Sequence, residues 1–156
     1  MAQQVDRFKT ITMVQGAADA FVQGSVATDI ISSDGMGWLI SLVEVKLVGS
    51  YMSLLSADAD LLWALSRDTK AVLPNLDDTD AIYTDGFAVA LTTSGQIAVP
   101  LLKTWVPPAG TIVVEPILYA QLDSTATGQA QTVVMRIHYD LVKLSEIEIL
   151  RLLNNA

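Results

Sequence analysis

The stretch Gln131–Lys143, QTVVMRIHYDLVK, decides the fold. Val133, Met135, Ile137, Tyr139 and Leu141 fall on one side of it, and Thr132, Val134, Arg136, His138, Asp140 and Val142 on the other. Strict alternation is the signature of a β-strand, because successive side chains leave opposite faces of a pleated backbone. A helix start follows at once. Ser145 stands three residues before Glu148, ahead of Ile147, Ile149, Leu150, Leu152 and Leu153. That is a capping box in front of an apolar run, and it predicts a short helix over 145–154.

Working outward, Thr111–Leu122 reads as another long strand, with Ile112, Val114, Pro116, Leu118, Ala120 and Leu122 on one face. A polar connection, Asp123–Gly128, leads from it into the last strand. Trp38–Val48 reads as a third clear strand. Leu39, Val43, Val45 and Leu47 share one face, interrupted only by Ser41, and Trp38, Ile40 and Leu42 begin the other. Thr10–Val14 and Ala20–Thr28 are shorter candidates, and the Gly in the middle of the second suggests a bulge or an edge. Ala59–Arg67 reads as a strand with Leu61, Trp63 and Leu65 inward, or as two helical turns behind Asp58 or Asp60. Ala81–Tyr83 and Phe87–Leu91 are a strand pair or one strand bent at Asp85-Gly86. Gln96–Trp105 is a further strand, with Pro100 marking an edge or bulge, before the break Val106–Gly110. About eight strands separated by turn signals predict an all-β sandwich or barrel. No internal repeat or linker divides the 156 residues, so one domain is expected.

Composition narrows the function. Apolar residues make up 51% and charged residues 17%, so apolar side chains exceed what a small core needs and are expected at contacts with other copies. The net charge of −8, with basic residues scattered singly, disfavours strong direct nucleic-acid binding. The absence of cysteine excludes disulfides, thiolate catalysis and zinc–thiolate sites. MAQQVDRFKT has no apolar signal core, and no stretch approaches the roughly 20 apolar residues of a membrane helix, so neither secretion nor membrane insertion is expected.

Residues 94–153 resemble the coat subunits of viruses built on a single jelly roll. The resemblance lies in WVPPAGTIVVEPILYAQLDSTATG followed by VVMRIHYDLVKLSEIEILRLL: a Pro-rich corner, a long strand, a Ser/Thr/Gly loop, and a last strand with an Arg-x-x-Tyr pattern. It implies an eight-stranded jelly-roll sandwich over 1–156, with a short extended arm at 1–9 and the C-terminal helix at 145–154. It implies further a capsid protein of the virion, assembled from many copies and joined by other capsid proteins. Many such proteins carry a long basic N-terminal arm. Here only Arg7 and Lys9 precede the first strand, with Asp6 beside them, so genome condensation by an arm is not expected.

No residue announces chemistry. Arg136, His138 and Asp140 share a strand face and offer an acid–base triplet. We read them instead as ordinary charge pairing on a solvated or subunit-facing side. His138 is the sole histidine, so a multi-His metal site is excluded. Asp77, Asp78, Asp80 and Asp85 crowd one region, and Asp58 and Asp60 another, without EF-hand spacing, and read as solvated acidic loops. Nucleophile-elbow, Walker and dinucleotide motifs are absent. No enzyme activity, cofactor or metal is therefore expected. Trp38, Trp63 and Trp105, with Ile147, Leu150 and Leu153 of the helix, are the candidate subunit-interface residues. The expected function is a self-assembling structural protein. The alternatives are a small-oligomer jelly-roll module that recognises a carbohydrate or receptor, and an enzyme on a β-sandwich or cupin-like barrel, which one His disfavours.

Overall fold

The computed structural model describes residues 7–31, 34–48, 59–75, 77–89, 102–108 and 111–154. Among them run nine strands and one helix: β1 (Arg7–Val14), β2 (Val22–Ala27), β3 (Met36–Val48), β4 (Ala59–Ser66), β5 (Ala81–Val89), β6 (Leu102–Trp105), β7 (Ile112–Val113), β8 (Ile117–Thr125), β9 (Thr132–Lys143) and α1 (Glu146–Asn154). They form two antiparallel sheets. The first has the order β1-β9-β3-β6, with the two-residue β7 also on β3; the second has the order β2-β8-β4-β5. Setting β7 aside, first-sheet and second-sheet strands interleave along the chain so that the first strand lies beside the last. This is the jelly-roll order, and it confirms the expected fold.

The opening stretch forms β9 as its alternation requires. Val133, Met135 and Ile137 are fully buried, and Arg136 is exposed. β9 lies between β1 and β3, so both its edges are hydrogen-bonded. Ala59–Ser66 is a strand, with Leu61, Trp63 and Leu65 inward. Residues 81–89 form one strand that runs through Asp85-Gly86. β2 is an edge strand, and a Cβ on its Gly24 would lie 2.8 Å from the Ile11 Cγ2 of β1, so Gly lets the two sheets approach there.

Three expectations about strand faces and strand ends need correction, and a fourth concerns the end of β8. In β3 the pairing slips between Ile40 and Leu42, so Ser41 is bulged. The slip turns Trp38 and Ile40 onto the same inward face as Val43, Val45 and Leu47, all buried. Simple alternation places Trp38 and Ile40 with Leu42, on the face opposite Val43. The bulge falls where β3 changes edge partner, from β6 at Val43–Lys46 to β7 at Trp38–Leu39. Second, residues 111–122 do not form one strand. The chain leaves the first sheet after Val113 and enters the second at Ile117. Pro116 cannot donate to a ladder, and the Val114 N–H is taken by the Glu115 carboxylate at 2.9 Å. Arg67 Nε (3.2 Å) and Thr28 Oγ1 (2.7 Å to the Glu115 carbonyl) pin this crossover. Third, Arg7–Lys9 belong to β1 and pair with Tyr139, His138 and Ile137 instead of forming an arm. Residues 1–6 lie outside the described residues, as does the Gln96–Leu101 part of one predicted strand, Pro100 included.

The core fills the space between the sheets. Trp38 stacks on Tyr139 at 3.7 Å between ring centroids, and Trp63 meets the Phe87 ring edge-on at 5.1 Å. α1, the start of β3 and the crossover at 114–116 lie at one end of the sandwich. The β1–β2 and β8–β9 connections lie at the other, tied by a buried polar network. Gln15 Nε2 donates to the Ala20 carbonyl (2.7 Å) and to Ser124 Oγ (2.9 Å), and its Oε1 accepts from the Gln131 N–H (2.9 Å). Asp19 Oδ1 accepts from the Thr127 N–H (3.0 Å) and hydroxyl (2.9 Å) and from Ser124 Oγ (3.1 Å). Asp123–Thr125, which read as loop, therefore complete β8.

Two predictions follow from this packing. Trp38→Ala costs about 3–5 kcal/mol of unfolding free energy, the range for emptying a large aromatic site. Leu39→Ala costs clearly less, and equal losses in urea titrations would contradict the bulged register. The Asp19 carboxyl is held below the usual carboxylate range, first by the Thr127 N–H, against the opposing effect of burial, and then by the Thr127 and Ser124 hydroxyls. Its folded value is lower than its unfolded one, so its contribution is present above the unfolded value and lost as pH falls through the folded one. Asp19→Asn should flatten that part of the acid limb of a stability–pH curve.

Candidate assembly surfaces

α1 begins as its sequence dictates. The Glu148 carboxylate accepts from the Ser145 N–H and hydroxyl, both at 2.7 Å, while the Glu148 N–H donates to Ser145 Oγ at 3.3 Å. The Ser145 hydroxyl, then its N–H, lowers the Glu148 carboxyl below its ordinary range. The helix is anchored by the Leu144 N–H, which donates to the Gly35 carbonyl at 2.7 Å. A Cβ at Gly37 would lie 2.8 Å from Leu144 Cδ1 and 3.2 Å from Ile112 Cγ2, so glycine makes room for both. Ile149 alone of the helix is buried, while Ile147, Leu150 and Leu153 are 65%, 54% and 44% exposed. At 100° per residue those three share one side with Glu146. The helix thus carries a second apolar side that its own sandwich does not cover.

The tryptophans divide. Trp38 and Trp63 are fully enclosed in the subunit's own core, which removes them from the interface candidates. Each indole fills space between two apolar sheet faces, where the burial gain is largest. Trp105 is half-buried on β6 and stacks on Tyr83 at 4.7 Å. Beside it lies a feature the sequence did not signal. Lys103 points between the sheets and donates to Asp85 Oδ1 (2.8 Å) and the Gly86 carbonyl (2.6 Å), with its ammonium 4.7 Å from the Phe87 ring centroid. Tyr83 donates its hydroxyl to Asp85 Oδ2 at 2.9 Å. Burial works to raise the Asp85 carboxyl, but the hydrogen bonds from Lys103, the Gly86 N–H and Tyr83 outweigh it and hold the carboxyl low. Burial also pushes the Tyr83 hydroxyl up. This cluster fastens β6 of one sheet to β5 of the other. The only hint in the sequence is a lysine two positions before Trp105, on the same side of the strand.

The outer face of the β1-β9-β3-β6 sheet carries the charged triplet. His138 Nε2 lies 2.7 Å from Glu44 Oε2, and Arg136 Nη1 lies 3.7 Å from the same oxygen. The Arg136 guanidinium sits 4.7 Å from the Phe8 ring centroid, and His138 is tilted against that ring. Arg136 and Lys46 balance Glu44 and Asp140 on this face. At the end remote from α1 it exposes Val14, Val48 and Leu102, and a shallow groove is lined by Glu44, Lys46, Leu102, Val134 and Arg136. The outer face of the other sheet is partly roofed by the 67–80 connection. There Lys70 Nζ bridges Asp78 and Asp80, and the Lys70 N–H donates to Gln23 Oε1 at 2.8 Å. That ammonium occupies the centre of the acidic loop, Asp77 is exposed beside it, and Asp58 lies outside the described residues. Asp60 sits in β4 opposite Ala88. Among the described residues no three His, Cys, Asp or Glu side chains converge as metal ligands, and no helix is long and apolar enough to cross a membrane.

No protein-family model and no curated protein matches the sequence. Similar solved structures come from viruses. A tomato aspermy virus structure is 12% identical at TM-score 0.43, with 86% of this chain and 76% of that one covered. The cowpea mosaic virus top component, a naturally occurring empty particle, is 10% identical at TM-score 0.45, covering 93% and 89%. The unassembled KI polyomavirus VP1 pentamer is also 10% identical at TM-score 0.45, covering 93% and 97%. The jelly-roll assignment itself rests on the strand order of the two sheets.

The cap gives a direct test. Ser145→Ala should speed amide exchange at Glu148 and fray the first turn of α1. Glu148→Gln should keep much of the turn, because an amide can still fill the box. It should also remove the turn's loosening as pH falls through the depressed carboxyl value. Unchanged exchange in Ser145→Ala would contradict the capping geometry.

Proposed function

We propose that the chain is a structural subunit that assembles in many copies into a closed shell, as a viral capsid protein of the virion. The observation that carries this reading is the uncovered apolar side of α1, Ile147, Leu150 and Leu153, presented by a capped helix at one end of a jelly-roll sandwich. Helix formation has already fixed the backbone of these residues, so burying them against another copy orders little more than side chains. The gain is about 25 cal/mol per Å² of apolar surface before association costs. Trp105 joins them as a rim contact. The role is association, with no catalytic step, and other capsid proteins are natural further partners. The acidic chain, with its two outer-face cations balanced by carboxylates, supports weak or no direct genome contact. The carbohydrate-binding alternative loses weight because Trp38 and Trp63 have no face free for stacking on a sugar.

Light scattering with negative-stain imaging of the purified chain tests the proposal. Closed particles of megadalton mass are expected, with Leu150→Lys reducing the assembled fraction while leaving the fold intact. A wild-type chain that stays monomeric across salt and pH would overturn the reading, and a discrete trimer or pentamer would favour the binding module.

A further inference from the structure

The subunit carries two uncovered surfaces that match each other and cannot meet within one chain. The first is the outward side of α1: Ile147, Leu150 and Leu153 with the carboxylate of Glu146 among them. The second is the groove on the outer face of the β1-β9-β3-β6 sheet, lined by Leu102 and Val134 with Lys46, Arg136 and Glu44, and with the exposed Val48 two residues beyond Lys46 on β3. One surface is three apolar side chains and an acid; the other is apolar side chains with two bases and one acid, a net positive charge. Among the described residues neither Glu146 nor Lys46 has an ion-pair partner.

Distance separates them. α1 is tied by Leu144 to Gly35, beside the start of β3. Lys46 pairs with Val134 and Val48 with Thr132, at the far end of β9. Val134 stands nine residues before Lys143, where β9 ends and the chain turns into α1, so the groove lies roughly 30 Å from that strand end at roughly 3.4 Å per residue. No rearrangement short of unfolding brings α1 onto its own groove.

We propose that α1 of one copy docks in this groove of a second copy, with Glu146 against Lys46. This deepens the assembly reading and rests on it. Because donor and acceptor lie at opposite ends of the subunit, the contact repeats from copy to copy, either closing into a ring or pairing reciprocally about a two-fold axis. The outer face is charge-balanced in a chain of net charge −8, so copies meet there without the repulsion they would suffer elsewhere. A nucleic acid would find Lys46 and Arg136 offset by Glu44 and Asp140, which is why a second copy is the occupant argued for.

Charge exchange in the full-length chain tests the pairing. At equal protein concentration, Lys46→Glu and Glu146→Lys each should lower the assembled fraction, read by sedimentation velocity, by about tenfold or more, because like charges are then juxtaposed at the contact. The double variant K46E/E146K should recover assembly to within about threefold of wild type, since the pair is restored with reversed sign. Both side chains are on the surface, and circular dichroism of each variant controls for folding. If all three variants assemble like wild type, the docking is overturned while the shell reading stands. If both single variants fail and the double is not rescued, or if only E146K has an effect, α1 docks elsewhere and the pairing is overturned. A wild-type chain that never assembles overturns both.

Discussion

The pairing of β9 with β3 is the constraint from which the rest of the subunit follows. The two strands pair from Met36–Lys143 to Val48–Thr132, and β1 then adds to the other edge of β9. The stack of Trp38 on Tyr139 lies across that ladder and fixes its register from the inside. A slip of one residue would send Val133, Met135 and Ile137 to the outer face and bring Arg136 and His138 into the core. The cost of burying those groups unpaired makes the register close to obligatory. With β9 fixed, Leu144 reaches Gly35, and the position of α1 is set by the end of a strand twelve residues long.

Much of this was legible in the sequence because it depends on periodicity. β9 and the helix behind it are written in a strict alternation and a capping box, and both are found as read. The misreadings of β3 and of residues 111–122 have one physical origin: alternation records which side of a strand a residue takes, but not where the strand changes partner. Ser41 is an ordinary polar residue, yet as the bulged position it turns Trp38 inward. Residues 111–122 keep their alternation across Val113–Pro116, although the chain passes there from one sheet to the other. Asp123–Thr125 looked like loop because they are polar, but Ser124 is buried in a network whose partners lie more than 100 residues away in sequence.

The candidate contacts were legible in a different measure. The exposed positions Ile147, Leu150 and Leu153 could be inferred because the helix has more apolar residues than one packed face uses. The tryptophans could not be sorted by type, since an indole is as suited to a core as to an interface, and only the register of β3 and β4 decides. Lys103 on Asp85 was invisible for the same reason. An inward cation needs a partner on the opposite sheet, and sequence spacing does not say which residues face each other across a sandwich.

The partnership of β1 with β9 has a consequence for synthesis. Residues 7–14 find their ladder partners only in residues 132–139, so as the chain leaves the ribosome its first strand stays unpaired until nearly all of the β-sandwich has been translated. Contacts so distant in sequence cost loop-closure entropy before they return anything, which places the fold among slow folders. In that interval Ile11 and Met13, both destined for the core, travel on a chain segment with nothing to shelter them. Crowded nascent chains of this protein would therefore be most exposed to mispairing through their first-made strand, a hazard that a chaperone at the tunnel exit would reduce.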